Sequence, residues 1–255
     1  MATPKANYGI DAPTVVRNLV IAGAAAGVAG AVLYRLMVPA FPLEGRILSI
    51  AGFVSSFCLL ATAGLMVWGS KYGKLREREK LIDTLGLSGK EKVLDVGCGR
   101  GLLLNGVARR LDEGKAFGVD LWRSVDQSGN TPEAAMENAK AEKVERRVGI
   151  LTADMRDLPF PDASLDAVIS SIAVHNVPGK EGRAQAIREI ARVLKPKGRL
   201  VIRDLYATGE YVKTLRDLGW EDVNLSGRSF MAVAPIRIVT ARKPGPVIVS
   251  QTAAP

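Results

Sequence analysis

A carboxylate followed by three glycines at alternate positions is the part of the chain best suited to bind a ligand. Residues 94–101 read LDVGCGRG, with Asp95 inside an apolar run that predicts a β-strand. A second apolar run, over residues 102–108, predicts a helix directly afterwards. The glycines therefore join a strand to a helix, where positive φ and close approach of the backbone to a ligand are needed. These glycines are Gly97, Gly99 and Gly101.

The acid inside the strand distinguishes this glycine bend from a dinucleotide-binding one. Burying a carboxylate costs several kcal/mol unless a partner compensates it, so Asp95 requires a cation or a hydrogen-bond donor. The dinucleotide fingerprint gains nothing from that acid, and it places a third small residue where this chain has Leu102. The pattern predicts a ligand that brings positive charge or a donor to Asp95.

Residues 85–243 resemble the class I S-adenosylmethionine-dependent methyltransferases, in the style of the ubiquinone/menaquinone-type small-molecule enzymes. The resemblance implies an α/β fold with a Rossmann-like seven-stranded sheet. It also implies S-adenosylmethionine as methyl donor, whose amino group and sulfonium supply positive charge near Asp95. The residues implied to hold its methionine part are Asp95, Gly97, Cys98, Gly99 and Gly101.

Later blocks follow in the family's order. They imply that Asp120 accepts the ribose hydroxyls with Leu121 beside it, that Asp154 accepts the adenine amine, and that Met155 covers the adenine ring. Ser170 lies near the carboxyl end of the fourth strand, predicted over residues 165–171, and is implied to bind the cofactor at that edge of the sheet. Taken singly, the two acids are equally well explained as surface residues and the methionine as core. The ordered series favours cofactor binding.

A longer loop departs from the family pattern. The family usually begins a short helix after the ribose-binding acid, whereas residues 121–132 are polar and contain a glycine, which predicts a loop. Trp122 in this loop either covers the adenine, walls the acceptor pocket or packs beneath the loop.

The one histidine, His175, is the candidate catalytic residue. The resemblance places it just past the fourth strand, beside the transferable methyl. A histidine exchanges a proton near neutrality, so it can act as general base toward a hydroxyl, thiol or activated carbon. The alternative is a hydrogen-bonded histidine that shapes the pocket.

The two cysteines argue against disulfides and metal sites. Cys58 lies in a long apolar segment and Cys98 in the glycine bend, so they do not pair, and we predict a reduced protein. Cys98 is interpreted as loop packing rather than as a nucleophile. We predict no metal, because so few thiols can build neither a zinc site nor a thiol cluster for arsenite.

Two apolar segments near the N-terminus predict a membrane anchor. Residues 18–34 are 17 residues without a charge, and residues 47–70 are 24. At 1.5 Å per residue the second segment spans a hydrocarbon core about 30 Å thick, and the first does so with its flanking arginines at the interfaces. A signal peptide competes for the first segment, whose length and late start favour a span. The predicted domains are a tail (1–14), two transmembrane helices (15–70, at about 15–38 and 47–69), a methyltransferase domain (71–243) and a flexible tail (244–255).

Small residues at helical spacing predict close packing of the two segments. Gly23 and Gly27 on the first and Gly52 and Ser56 on the second allow either contact between the two helices or a homo-oligomer through them. Small residues that simply face lipid are the alternative.

The distribution of basic residues predicts the orientation of the two spans in the membrane. Five of them follow the second span, against Arg46 in the turn, so the positive-inside rule places both termini and the catalytic domain in the cytoplasm of a multi-pass membrane protein. S-adenosylmethionine is made in the cytosol, which suits this orientation. The five residues are Lys71, Lys74, Arg76, Arg78 and Lys80.

The net charge of +9 and the pI near 9.7 do not by themselves indicate nucleic acid. Part of the excess lies in the basic cluster, where anionic lipid headgroups are the nearer partner. Family members that act on base amines usually carry Asn-Pro-Pro-Tyr where this chain has Ser-Ser-Ile-Ala at residues 170–173. We therefore predict membrane lipids and no nucleic acid as partners.

The predicted membrane anchor indicates the chemical class of the methyl acceptor. With about 20 residues between the second span and the first strand, the pocket stays near the bilayer, so we predict methyl transfer to a small, lipophilic acceptor. The alternatives are a soluble small acceptor with the anchor serving only for location, and a non-catalytic S-adenosylmethionine-binding scaffold of a membrane complex.

Overall fold

A helical hairpin opens the structure. The computed structural model describes residues 6–231 and 234–245 of the 255-residue chain. Its first elements are helices α1 (Pro13–Met37) and α2 (Pro42–Trp68). Each begins at a proline, which is tolerated there because its missing N–H would have no partner in the first turn. Helix α2 begins earlier than the predicted span at 47–69, so it takes in part of the predicted turn.

The surface of the hairpin is apolar. Both helices are long and apolar enough to cross a membrane by length and composition, and only 11% and 6% of their apolar windows are buried. Large side chains such as Ile21 and Phe57 are exposed. An apolar surface of this extent is unusual on a soluble monomer. Exposed aromatic side chains lie at both ends, with Tyr34 and Phe41 near the turn and Trp68 and Tyr72 at the opposite end.

Small residues hold α1 and α2 together. A Cβ added to Gly52 would lie 2.8 Å from Cα of Gly30, and one added to Gly27 would lie 2.9 Å from Oγ of Ser56. The helix backbones approach closely because these positions lack bulky side chains. The predicted small-residue face is therefore used inside the hairpin.

The second helix continues into the catalytic domain. A π-helical turn, Gly69–Gly73, links α2 to α3 (Lys74–Asp83), and the three segments form one helix over residues 42–83. A π-helical turn shifts the register of a helix without ending it. The hairpin and the domain are thus joined by a helix instead of a flexible linker.

The rest of the structure is an α/β sheet domain. The spatial order is β3-β2-β1-β4-β5-β8-β6, with β1 to β5 parallel and β8 antiparallel to both β5 and β6. This arrangement confirms the predicted seven-stranded fold. The short β7 adds to β8 inside a segment without a predicted strand. The strands are β1 (Lys92–Val96), β2 (Lys115–Asp120), β3 (Val148–Thr152), β4 (Leu165–Ser171), β5 (Leu194–Asp204), β6 (Val223–Leu225), β7 (Ser229–Met231) and β8 (Ala234–Arg242).

Helices cover both faces of the sheet. Apolar residues of α3, α4 and α5 form a core on one face, and those of α6 and α7 form a core on the other. Two-sided burial explains why the parallel strands read as continuous apolar runs. The remaining helices are α4 (Leu102–Ala108), α5 (Pro132–Ala141), α6 (Lys180–Val193) and α7 (Thr208–Asp217).

Residues 7–12, the N-terminal strap, pack against the catalytic domain. The side chain of Tyr8 is buried, and its hydroxyl donates a hydrogen bond to Glu142. Asn7 and Asn138 exchange two hydrogen bonds of 2.7 and 2.9 Å. This part of the predicted tail is therefore a structured part of the domain. Of the predicted flexible tail at the other terminus, residues 246–255 lie outside the described residues.

The hairpin contact makes a prediction with an internal control. We expect Gly52→Ala to lower the free energy of unfolding by about 1–3 kcal/mol, because the new Cβ meets backbone atoms that cannot move aside. Gly64→Ala, on the same helix with nothing within 4 Å of its Cβ, should be neutral or stabilising. Unfolding by dodecyl sulfate in detergent micelles measures both. Equal stability of the two variants would exclude the close contact.

Candidate cofactor and active site

A cavity of about 310 Å³ lies at the carboxyl ends of the parallel strands. Its volume falls within the range of small-molecule sites, and it adjoins the junction of β1 and β4, where the strand order reverses. Most of the predicted cofactor residues line it, namely Asp95, Gly97, Cys98, Gly99, Asp120, Leu121, Asp154 and Met155.

The glycine bend leaves no room for side chains. Gly97 has φ +72°, and a Cβ there would lie 2.2 Å from Cβ of Ala173. Gly99 has φ +51°, and its Cβ would lie 2.6 Å from Oε1 of Gln127. Both positions therefore require glycine for its backbone conformation and for close packing. The bend brings main-chain atoms to the cavity wall.

Asp95 is a buried acid beneath the bend. Its carboxylate accepts a hydrogen bond from the backbone N–H of Leu104 at 2.9 Å. Burial, together with the negative charge of Asp120, raises the pKa of Asp95 to about 8. A cation in the cavity would stabilise the ionised form and lower that pKa. The site thus favours a positively charged ligand.

Asp120 and Asn130 form a polar pair at the end of β2. The Asp120 carboxylate accepts hydrogen bonds from the N–H groups of Gly99 (2.8 Å) and Trp122 (2.7 Å) and from Nδ2 of Asn130 (3.2 Å). Because a carboxylate only accepts, the amide nitrogen of Asn130 must face it. Oδ1 of Asn130 is then buried with no hydrogen-bond partner among the described residues. A ligand hydroxyl would satisfy it.

The predicted adenine side carries a preformed ion pair. Asp154 accepts hydrogen bonds from the side chain and the N–H of Arg156, which lower the pKa of the Asp154 carboxyl. Met155 lies next to the bend, with Cε 3.7 Å from a Cβ added to Gly97. Leu121 is half-exposed at the cavity rim. These side chains present one charged and two apolar surfaces to the cavity.

Three predicted site residues do not line the cavity. The Ser170 hydroxyl is fully buried and donates to the carbonyl of Val96 at 2.8 Å, while the next residue, Ser171, lines the cavity. Gly101 has φ +82° and begins α4, so it shapes the bend from behind. His175, the third of these residues, is also absent from the lining.

His175 is held by Asp204, a residue that the sequence analysis missed. Nδ1 of His175 hydrogen-bonds the fully buried Asp204 carboxylate, which also accepts from the His175 N–H (3.0 Å) and the Tyr211 hydroxyl (3.0 Å). The imidazole packs edge-on against Tyr206. Burial and the nearby Asp204 charge raise the pKa of Tyr211 far above its ordinary value. His175 is thus held in place by Asp204 and Tyr206, and its catalytic role stays a prediction.

Cys98 and Trp122 both pack into the domain. A Cβ added to Gly118 would lie 2.7 Å from Sγ of Cys98, so the thiol covers that glycine. Burial raises the pKa of the Cys98 thiol well above its usual value, which disfavours a nucleophilic thiolate. The Trp122 indole donates to Oγ1 of Thr152 at 2.7 Å and packs against the core that contains α3 and α4. Trp122 thus packs beneath its loop.

The strap and the start of α3 also reach the cavity. Nζ of Lys74 donates to the carbonyls of Tyr8 (2.7 Å) and Gly9 (3.1 Å) and to Asp11 Oδ1 (3.1 Å). Nε2 of Gln127 donates to the Tyr8 carbonyl and to Asp11 Oδ1, each at 3.1 Å. Lys74, Asp11 and Gln127 all line the cavity. Burial lowers the pKa of Lys74.

A buried arginine completes the wall. Arg203 lines the cavity, its Nη1 donates to Oγ of Ser171 at 3.0 Å, and burial lowers its pKa. Within residues 6–231 and 234–245, His, Cys, Asp and Glu side chains form no group of three that could hold a metal ion.

These residues fit S-adenosylmethionine. Asp95 offers a negative charge to its cationic methionine part, and the glycine bend leaves space for close contact. Asp120 and the unpaired Oδ1 of Asn130 offer acceptors to the ribose hydroxyls. The chemistry of this donor and acceptor set is complementary to the cofactor that the resemblance implies.

Comparisons with known proteins agree on the domain. Residues 94–202 match the family model described as a methyltransferase domain. Methyltransferase GfsG of Streptomyces halstedii is 35% identical over 134 residues, which are 52% of this chain and 45% of that protein. The 2-phytyl-1,4-naphtoquinone methyltransferase of Trichormus variabilis is 31% identical over 130 residues, 51% of this chain and 53% of that protein. The chain spans about half the length of these curated relatives.

A solved structure shows the same fold. The geranyl diphosphate C-methyltransferase of Streptomyces coelicolor, in complex with S-adenosyl-L-homocysteine, has a TM-score of 0.52 at 16% identity and covers 66% of this chain and 78% of that chain. At this identity the likeness concerns the fold alone. The family match identifies residues 94–202 as a methyltransferase domain, and the curated relatives that match this region are also named as methyltransferases.

Proposed function

We propose that the whole chain is a membrane-anchored methyltransferase that methylates an oxygen, sulfur, nitrogen or activated carbon of a small, lipophilic acceptor. The observation that carries the proposal is the contact between the cavity and the hairpin. Asp11, which lines the cavity, stands two residues before the start of α1, and its N–H donates to Oγ of Ser70 just after α2. The start of α1 and the end of α2 therefore both lie next to the cavity.

The hairpin surface supports membrane insertion. Exposed aromatic residues mark both of its ends, as at the interfaces of a bilayer. The predicted basic cluster is divided, because Lys74 and Arg78 are buried in contacts within the domain. Lys71, Arg76 and Lys80 stay exposed and available to anionic headgroups. We propose that this end of the hairpin, with the catalytic domain, lies on the cytoplasmic side.

The relatives support a small acceptor. One relative is named as a methyltransferase of 2-phytyl-1,4-naphtoquinone, a lipophilic small molecule. A cavity that adjoins apolar helices suits an acceptor of the same chemical class, which would reach it from the bilayer. The proposed acceptor of this chain is accordingly a lipophilic small molecule.

The side chains in the cavity would bind and align the reactants. Bound S-adenosylmethionine supplies a methyl group already activated by its sulfonium. Asp95 holds the positive charge, Asp120 and Asn130 hold the ribose, and Asp154 with Met155 forms the adenine side. An in-line displacement then requires orientation and exclusion of water more than a strong catalytic base. His175, held by its hydrogen bond to Asp204, would position the neighbouring residues Ala173 and Asn176, which line the cavity.

A labelling experiment tests the proposed function. The full chain in lipid nanodiscs should transfer tritiated methyl from S-adenosylmethionine into a membrane-lipid extract and not into a water-soluble extract. The full chain is needed because deleting the hairpin would also remove the strap from the cavity. Label in the soluble extract alone would contradict the lipophilic acceptor. Cofactor binding without label in either extract would instead indicate the scaffold.

Replacing Asp120 tests the cofactor assignment. We expect Asp120→Ala to weaken S-adenosylhomocysteine binding by about 10–100-fold, because a charged acceptor contributes roughly 1.5–3 kcal/mol. Asp126→Ala is the matched control, since Asp126 also lines the cavity but follows the strand end by several residues. Calorimetry on folded samples measures both. Equal affinity of the two variants would remove Asp120 from the cofactor site.

Replacing His175 separates a positioning role from a catalytic one. If the ring positions the cavity wall, His175→Gln should raise KM for the acceptor while kcat falls less than about tenfold. A loss of general-base catalysis would instead lower kcat by about 10²–10⁴-fold. Steady-state measurement of KM and kcat decides between the two roles, and the second result would overturn the positioning role.

A further inference from the structure

The loop over residues 121–128 exposes two large apolar side chains. Leu121 is 52% exposed and Val125 is 51% exposed, with Arg123 between them. The loop is well anchored, because Trp122 donates from its N–H to Asp120 and from its indole to Thr152. Leu121 and Val125 are therefore partly exposed on a loop that hydrogen bonds hold in place. A single exposed apolar side chain would need no explanation, but two large apolar side chains on one cavity-lining loop suggest a partner.

The loop pairs with the strap at the foot of α1. The N–H of Ala12 donates to the carbonyl of Asp126 at 3.2 Å, and Ile10 and Ser128 exchange hydrogen bonds of 2.8 and 3.1 Å. Ala12 immediately precedes α1. Val15 is the first exposed large apolar residue of α1, and at 1.5 Å per residue it lies about 5 Å along the helix from Ala12. The loop therefore lies within one helical turn of the apolar surface of the hairpin.

The end of α2 also lies close to loop 121–128 and carries side chains that favour the membrane interface. Asp11 in the strap donates from its N–H to Oγ of Ser70, which lies in the π-helical turn after α2. Trp68 and Tyr72 flank Ser70 with exposed rings, and such rings prefer the headgroup region. The loop, the start of α1 and the end of α2 thus lie at one level. Helix α2 continues into α3 as a helix, so no flexible linker separates the hairpin from the domain.

We propose that loop 121–128 rests on the bilayer and forms the entrance through which the acceptor reaches the cavity. Leu121 and Val125 enter the interfacial layer, and Arg123 faces the lipid phosphates. Leu121, Arg123 and Asp126 also line the cavity, so it opens toward the membrane beside them. This inference rests on the proposed function and refines its acceptor class. The acceptor is an amphipathic lipid whose polar end reaches the methyl donor while its apolar tail stays in the bilayer.

Lipid quenching of a fluorophore on the loop tests the contact without knowledge of the acceptor. The full chain carrying Cys58→Ser and Val125→Cys is labelled with an environment-sensitive dye and placed in nanodiscs that contain lipids brominated near the headgroup. Cys98 is buried and should not react. We expect blue-shifted emission and quenching several-fold stronger than in the control. The control is Leu218→Cys in the same background. Leu218 is 43% exposed and directly follows α7, which covers the face of the sheet opposite to α3.

A second label separates this inference from the anchor itself. The exposed native Cys58 in α2 reports whether the hairpin is in the bilayer, using lipids brominated deep in their chains. Quenching at Cys58 with equal quenching at positions 125 and 218 would overturn the loop contact and leave the anchor intact. No quenching at Cys58 would overturn the anchor, and the loop inference with it.

An activity measurement links the contact to catalysis. We expect Val125→Asp to reduce methylation of the membrane-borne acceptor several-fold more than Leu218→Asp, because a charge on the loop opposes its place in the interface. The affinity for S-adenosylhomocysteine should not change, since Val125 does not line the cavity. Equal methylation by the two variants would contradict the proposed entrance.

Discussion

The electrostatic cost of a carboxylate sealed beneath a glycine bend is the constraint on which the rest of the site depends. Asp95 is buried, and its pKa is raised to about 8. Without a ligand the protonated form of Asp95 is favoured. Its contribution to the free energy of unfolding is therefore fully present below the ordinary pKa of an aspartate and is lost as pH rises through about 8. A bound cation reverses this preference. The site is therefore arranged for a ligand that carries positive charge.

Contacts among other residues of the cavity wall hold the surroundings of Asp95 in place. Gly97 and Gly99 bring the backbone against the cavity, and Asp120 accepts hydrogen bonds from both the bend and the amide of Asn130. The strap closes the cavity from the side of the hairpin through Lys74. The same few residues thus connect the cofactor site to the apolar helices. In the proposed function this connection determines which acceptors reach the methyl donor.

Features set by local pattern could be predicted from the sequence, and features set by distant contacts could not. The glycine bend and the strand-end acids follow from strand, turn and helix signals within a few residues. Ser170 and Ser171 differ by one position, and that single step separates a buried side chain from a cavity-lining one. The contacts of the strap join residues more than 60 positions apart and leave no periodic signal. Asp204 likewise reads as part of an apolar strand until the fold brings it to His175.

Proton release on cofactor binding tests the central claim most directly. At pH 7 a carboxyl with a pKa of about 8 is mostly protonated, and a cation beside it lowers that pKa. Calorimetry of S-adenosylmethionine binding, in buffers of different ionisation enthalpy, should therefore show release of about one proton per ligand for the wild-type chain at pH 7 and almost none for Asp95→Asn. Equal proton release by the two proteins, or none by either, would contradict a cation held by Asp95.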